Sequence, residues 1–151
     1  MKKLIYSLLT VFALGCGFTA CSDDDDEVIS YSTTAEKASA GTYSGTWTRT
    51  SGTTTNEYEG TITLVATDSI GATDITFSCP EASLNATSVA NVWNAGHGFQ
   101  FVNNIETNGL GTKFAGSISA EGEMMAAFKI SQRNGRVLTE YTYNFVGKKS
   151  E

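Results

Sequence analysis

The sequence predicts an all-β protein, an eight-stranded antiparallel up-and-down barrel, and three observations point there. Threonine and glycine recur along the chain with a lone proline, Pro80; apolar residues alternate with a period of two; and turn dipeptides separate the alternating runs. Eight strands suffice to close a small barrel whose interior either fills with side chains or holds one small ligand. A two-sheet sandwich is the rival architecture. Short connections without an evident crossover favour closure.

The elements follow in order. Tyr43, Gly45 and Trp47 share one side of a first strand, Tyr58, Gly60, Ile62 and Leu64 one side of a second, and Ile75, Phe77 and Cys79 one side of a third. Leu84 to Trp93 is ambiguous in phase but long enough for a fourth. Asn108-Gly109, read as a two-residue type I′ turn, sets Phe99 against Ile118, Phe101 against Gly116 and Asn103 against Phe114. Ala120-Glu121-Gly122 keeps the apolar faces in phase only as a three-residue loop with Gly122 left-handed, which places Ile118 opposite Met124 and Phe114 opposite Phe128. Asn134-Gly135 is the preferred type I′ dipeptide. It pairs Ile130 with Thr139, Phe128 with Tyr141, Ala126 with Tyr143 and Met124 with Phe145, with Lys129 facing Glu140 on the other side. Four strands near 98–106, 111–119, 123–133 and 136–147 therefore form a meander with one apolar face.

Ahead of this domain, Lys2-Lys3, an apolar stretch from Leu4 to Phe18 and small residues before a cysteine have the layout of a secretory signal. Cys16 and Cys21 are both candidate processing sites. Cys21 is preferred, because the chain turns strongly polar in the next residue, whereas cleavage at Cys16 strands Phe18 in the mature tail. The expected organisation is a signal peptide over 1–20, an acidic disordered tether over 21–40 and a barrel over 41–148. The tether, fully extended, reaches at most ~65 Å. With Cys21 lipidated, its two or three acyl chains anchor durably where one would not. Cys79 then stands alone, no intramolecular disulfide forms, and stability must come from packing. Loss of Lys2 and Lys3 takes the net charge from −6 to −8, and the acids crowd into residues 23–27, so there is no basic footprint for nucleic acid.

Two resemblances add to this. The run Cys21-Ser22-Asp23-Asp24-Asp25-Asp26 resembles the lipoprotein export signal of Bacteroidota, which implies delivery to the outer face of the outer membrane. Gly41-Thr42-Tyr43-Ser44-Gly45-Thr46-Trp47 resembles the first strand of the calycin (lipocalin-like) barrels, with Gly45 and Trp47 at the Gly-x-Trp positions, which implies a tryptophan at the closed end of the barrel. The whole layout, down to Phe145-Val146-Gly147-Lys148-Lys149, is similar to the calycin-like β-barrel lipoproteins of Bacteroidota. Fold analogy alone does not carry function.

Candidate sites are few. The aromatics Tyr43, Trp47, Tyr58, Phe77, Phe99, Phe101, Phe114, Phe128, Tyr141, Tyr143 and Phe145 all fall on the expected inner face. They either pack a core or line a cavity, with Tyr58, Phe101, Phe128, Tyr141 and Tyr143 as the candidate ligand contacts. His97, in the expected flexible loop Asn94 to Gly98, lacks the companions a metal needs, and Asp23 to Glu27 lacks the glycine turn of a calcium loop. Cys79 reads as a buried inert thiol. Trp93 is the large ring expected either near a barrel mouth or over the core. Asp68-Ser69-Ile70 resembles the Bacteroidota O-glycosylation acceptor, which makes Ser69 a candidate glycan site in an expected loop. No nucleophile elbow, inward carboxylate pair or Cys–His spacing appears, so neither an enzyme nor a cofactor is expected.

The functional expectation is a surface-exposed outer-membrane lipoprotein, held by its lipid, whose barrel binds a small apolar or glycan-like ligand. The alternative is a packed barrel acting as a structural or protein-interaction module, as an accessory of an envelope complex or in the manner of a protease inhibitor.

Overall fold

The computed structural model describes residues 35–105 and 108–151. The signal peptide, Cys21 and the run Ser22, Asp23, Asp24, Asp25 and Asp26 lie outside the described residues. Eight antiparallel strands close in sequence order into one barrel: β1 (Gly41–Ser51), β2 (Thr54–Ala66), β3 (Ala72–Cys79), β4 (Leu84–Ala95), β5 (Gly98–Asn103), β6 (Phe114–Ile118), β7 (Glu123–Asn134) and β8 (Val137–Lys149). Closure is made by β8 pairing with β1, from Tyr43 opposite Lys149 to Thr50 opposite Thr142.

The period of two decides the faces. Tyr43 and Trp47, Ile62 and Leu64, Ile75 and Phe77, Phe101, Phe114, Met124 and Phe128, and Tyr143 and Phe145 are all buried and form one core. In β4, whose phase the sequence left open, Leu84, Ser88, Ala90 and Val92 point inward while Val89 and Trp93 are exposed.

Three turns differ from expectation. At the β7–β8 hairpin the ladder runs to Asn134 opposite Val137, so the turn is Gly135-Arg136 and every pair is shifted: Phe128 faces Tyr143, Ile130 faces Tyr141 and Ala126 faces Phe145. Gly135 alone of the two central residues has a left-handed φ, +63°, which is the type II′ pattern. A shift of two residues keeps every side chain on its face, so alternation cannot detect it. Lys129 still reaches Glu140, at 3.3 Å, but diagonally.

The β5–β6 register is the expected one, yet the ladder stops at Asn103 opposite Phe114, and the tight turn falls one residue later than expected, with Gly109-Leu110 central and the Gly111 N–H donating to the Asn108 carbonyl at 2.9 Å. Asn108 organises a longer loop: its amide donates to the carbonyls of Ile105 and Thr112, at 2.7 Å each, and its oxygen accepts from Leu110 and Gly111. Gly109 is needed because a Cβ there would collide with the Thr87 carbonyl. Asparagine bonding its own backbone is a loop device as much as a hairpin signal.

The expected flexible loop around His97 is in fact the two-residue turn Gly96-His97, with Ala95 paired to Gly98. The three-residue loop at Ala120-Glu121-Gly122 is as expected, with Gly122 at φ +78° and Ser119 and Glu123 bonded across it.

Candidate functional site

Aromatic rings pack against one another in the interior. Trp47, fully buried, meets Phe145 at 4.9 Å between ring centroids and Phe128 at 5.7 Å; Phe128 stacks on Tyr143 at 5.1 Å; and Phe77 meets Phe114 edge-on at 5.1 Å. These are the offset and edge-to-face geometries that aromatic quadrupoles favour. Phe101 and Phe128, two of the candidate ligand contacts, are core side chains. The Trp47 indole N–H, close against Gly60, has no hydrogen-bond partner among the described residues.

One end is closed by residues that the sequence suggested were disordered. Residues 35–39, assigned to the tether, are helical, and Ala35, Glu36 and Ser39 are buried. This corrects the expectation of an unstructured segment through residue 40. Three bonds hold the turn: the Tyr43 hydroxyl donates to the Ser39 carbonyl at 2.8 Å, the Gly71 N–H donates to a Glu36 carboxylate oxygen at 3.1 Å, and the Lys149 ammonium donates to the Ala38 carbonyl at 3.3 Å. Burial pushes the Tyr43 phenol up to about 12.

The opposite end is closed by a 3-10 turn, Pro80–Ala82, whose exit is permitted by Ser83 in a left-handed conformation at φ +57°. The buried Ala82 offers its carbonyl to two inward side chains, the Tyr143 hydroxyl and an Arg49 guanidinium nitrogen, each at 3.3 Å. Arg49 was not singled out in the sequence. The signal was present: Arg49 follows Trp47 by two residues and so shares its inward phase. Its guanidinium lies over the Tyr58 ring at 5.3 Å and the Tyr141 ring at 5.2 Å, and donates to the Tyr58 hydroxyl at 3.0 Å. Among the described residues, Lys129 with Glu140 and Lys148 with Glu123 are ion pairs, and Arg49 has no carboxylate partner. The candidate cavity residues Tyr58, Tyr141 and Tyr143 thus meet at this end, but around an arginine and a backbone carbonyl of the chain itself.

Cys79 is buried, its thiol pointing to the Glu59 carbonyl at 3.6 Å. Burial raises its pKa, Glu81 adds to this, and the Ala82 backbone and Arg49 act in the opposite sense. His97 is exposed, and no group of three metal-ligating side chains occurs among the described residues. Ser69 is exposed in the β2–β3 loop, beside exposed Ile70. Trp93 sits on the outer wall, 40% exposed, in a shallow groove of about 640 Å³ with Val102, Met125 and Val146.

The class defined by this architecture is the closed, eight-stranded, antiparallel up-and-down barrel, and it fits a calycin-like fold. No family model, curated protein or solved structure matches the chain.

Proposed function

We propose that the chain is an outer-membrane lipoprotein of the Bacteroidota calycin-like kind, lipidated at Cys21 and displayed on the cell surface, and that its barrel is a packed head which acts by docking to a protein of the envelope. It has no catalytic role in this reading, and Ser69 carries a surface glycan.

One observation carries the choice of docking over small-ligand binding: the hydroxyl of Tyr143 and the side chains around Tyr58 and Tyr141 are engaged by Ala82 and Arg49 of the same chain. A ligand entering at that end would have to displace those bonds and unpack fully buried rings, and interiors at native density accommodate such insertion poorly. The outer wall, by contrast, has large apolar side chains free for contact, among them Trp93, Met125 and Val146.

Native mass spectrometry of the full chain, purified from its host envelope in mild detergent, tests this. The expected species is the lipidated chain with a protein partner and no small organic guest. A small guest retained in stoichiometric amount would overturn the docking function. Cys21→Ala is expected to shift the protein from the membrane to the soluble fraction.

A further inference from the structure

The barrel wall is uneven in height. β6 ends opposite Phe128, while β7 and β8 continue to Asn134 and Val137. β3 pairs with β2 only from Thr61 onward, while β1 and β2 continue to Ser51 and Thr54. Among the described residues, 54–58 of β2 therefore pair with β1 alone and form a bare edge, whereas Glu59 and Gly60 abut Cys79 and Ser78 at the end of β3.

The direction of its hydrogen-bonding groups follows from one contact. The Glu59 carbonyl accepts from the Cys79 thiol, so it points away from β1. In an antiparallel ladder that orientation repeats every second residue, so Glu57 and Thr55 present their N–H and C=O groups to the same open side. Thr54 through Glu57 are exposed, and the register with β1 is unbroken by a bulge or proline. Edges of this kind are usually blunted, because they template pairing with another chain.

Charge gives the edge a preference. Its outward side chains are Thr55 and Glu57, followed by Glu59; its inward ones are Asn56 and Tyr58, with the Arg49 guanidinium over the Tyr58 ring. Two Arg49 nitrogens donate to protein oxygens, which leaves N–H groups of a five-donor fork for a carboxylate. We propose that residues 55–58 of β2 are a docking strand for an antiparallel extended peptide of the partner protein, with basic side chains on its outward phase and a carboxylate on its inward phase reaching Arg49. This rests on the docking function proposed above and names its surface and its partner's chemistry.

The test uses a blocked Lys-Glu-Lys-Glu-Lys peptide added to the isotope-labelled full chain. In the antiparallel pairing the lysine amides face the β2 edge and the glutamate amides face solvent. The expected result is saturable shifts of the Thr55 and Glu57 amides with a dissociation constant below about 1 mM, little change on N-methylation of the glutamates and at least about tenfold weakening on N-methylation of the lysines. Arg49→Met is expected to weaken the peptide several-fold and to leave its Gln-for-Glu analogue unaffected. Equal binding of the two methylated peptides, or shifts centred elsewhere, overturns the proposal. Glu57→Pro removes only a donor that faces away from β1, so the barrel is retained. If the wild-type and Glu57→Pro chains capture the same envelope protein, docking stands and this edge falls; if neither captures a protein and both retain a small molecule, the docking function itself falls.

Discussion

Gly45 lies directly opposite Gly147 across the seam between β1 and β8, and a Cβ on Gly45 would collide with the Val146 carbonyl. On its other side Gly45 faces Gly60, where a Cβ would strike the Trp47 ring and the Ser78 carbonyl. A Cβ on Gly147 would likewise run into the Phe145 ring. Three glycines in a row across β8, β1 and β2 thus let Phe145 and Trp47 lie flat over backbone at the point where the barrel closes.

Gly45→Ala is therefore expected to destabilise by about 3 kcal/mol or more, since a backbone carbonyl has nowhere to move. Gly96→Ala, at φ +63° but with open space around it, is expected to cost only about 1 kcal/mol of conformational strain. Urea denaturation of both variants makes the comparison. Equal losses would remove the steric role assigned to Gly45.

The Tyr43 phenol predicts a pH dependence. Its folded pKa of about 12 lies above the ordinary tyrosine value near 10, so the unfolded chain loses that proton first. The stabilisation is fully present below pH 10 and is lost as pH rises through 12, by an amount on the order of 2 kcal/mol. Denaturation midpoints across that window should fall in the wild type and fall less in Tyr43→Phe, which has no phenol to ionise.

The two tryptophans predict a split in quenching. Trp47 is fully buried and Trp93 is 40% exposed. Acrylamide should quench one emitting population readily and the other poorly, and Trp93→Phe should abolish the accessible one with a stability change of about 0.5 kcal/mol or less. A readily quenched Trp47 would mean that the interior is not packed.

Cys79 predicts protection. In a C16A/C21A chain it is the single thiol, and its burial together with its raised pKa should make disulfide-exchange reagents react only on unfolding. The labelling rate should then follow the global unfolding free energy as urea is added. Fast labelling in native buffer would show that the end closed by Pro80–Ala82 opens locally.

What the residues alone determined is whatever a period of two records: the barrel class, the inward aromatic set, and the registers of the β5–β6 and β6–β7 pairs, the second with the expected loop and the first through its facing apolar side chains despite a longer loop. What only the tertiary structure decided lies outside that period. The pairing at Gly135 is shifted by two residues, which alternation cannot distinguish from its neighbour; β8 must also meet β1, where Gly147 falls opposite Gly45. Residues 35–39 read as polar tether because their burial depends on Tyr43, Gly71 and Lys149, partners remote in sequence that exist only once the barrel has closed. Arg49 had the inward phase in plain view, yet its setting between Tyr58 and Tyr141 required β2, β1 and β8 to lie side by side. Local alternation assigns a residue to a face, and closure of the sheet decides what that face meets.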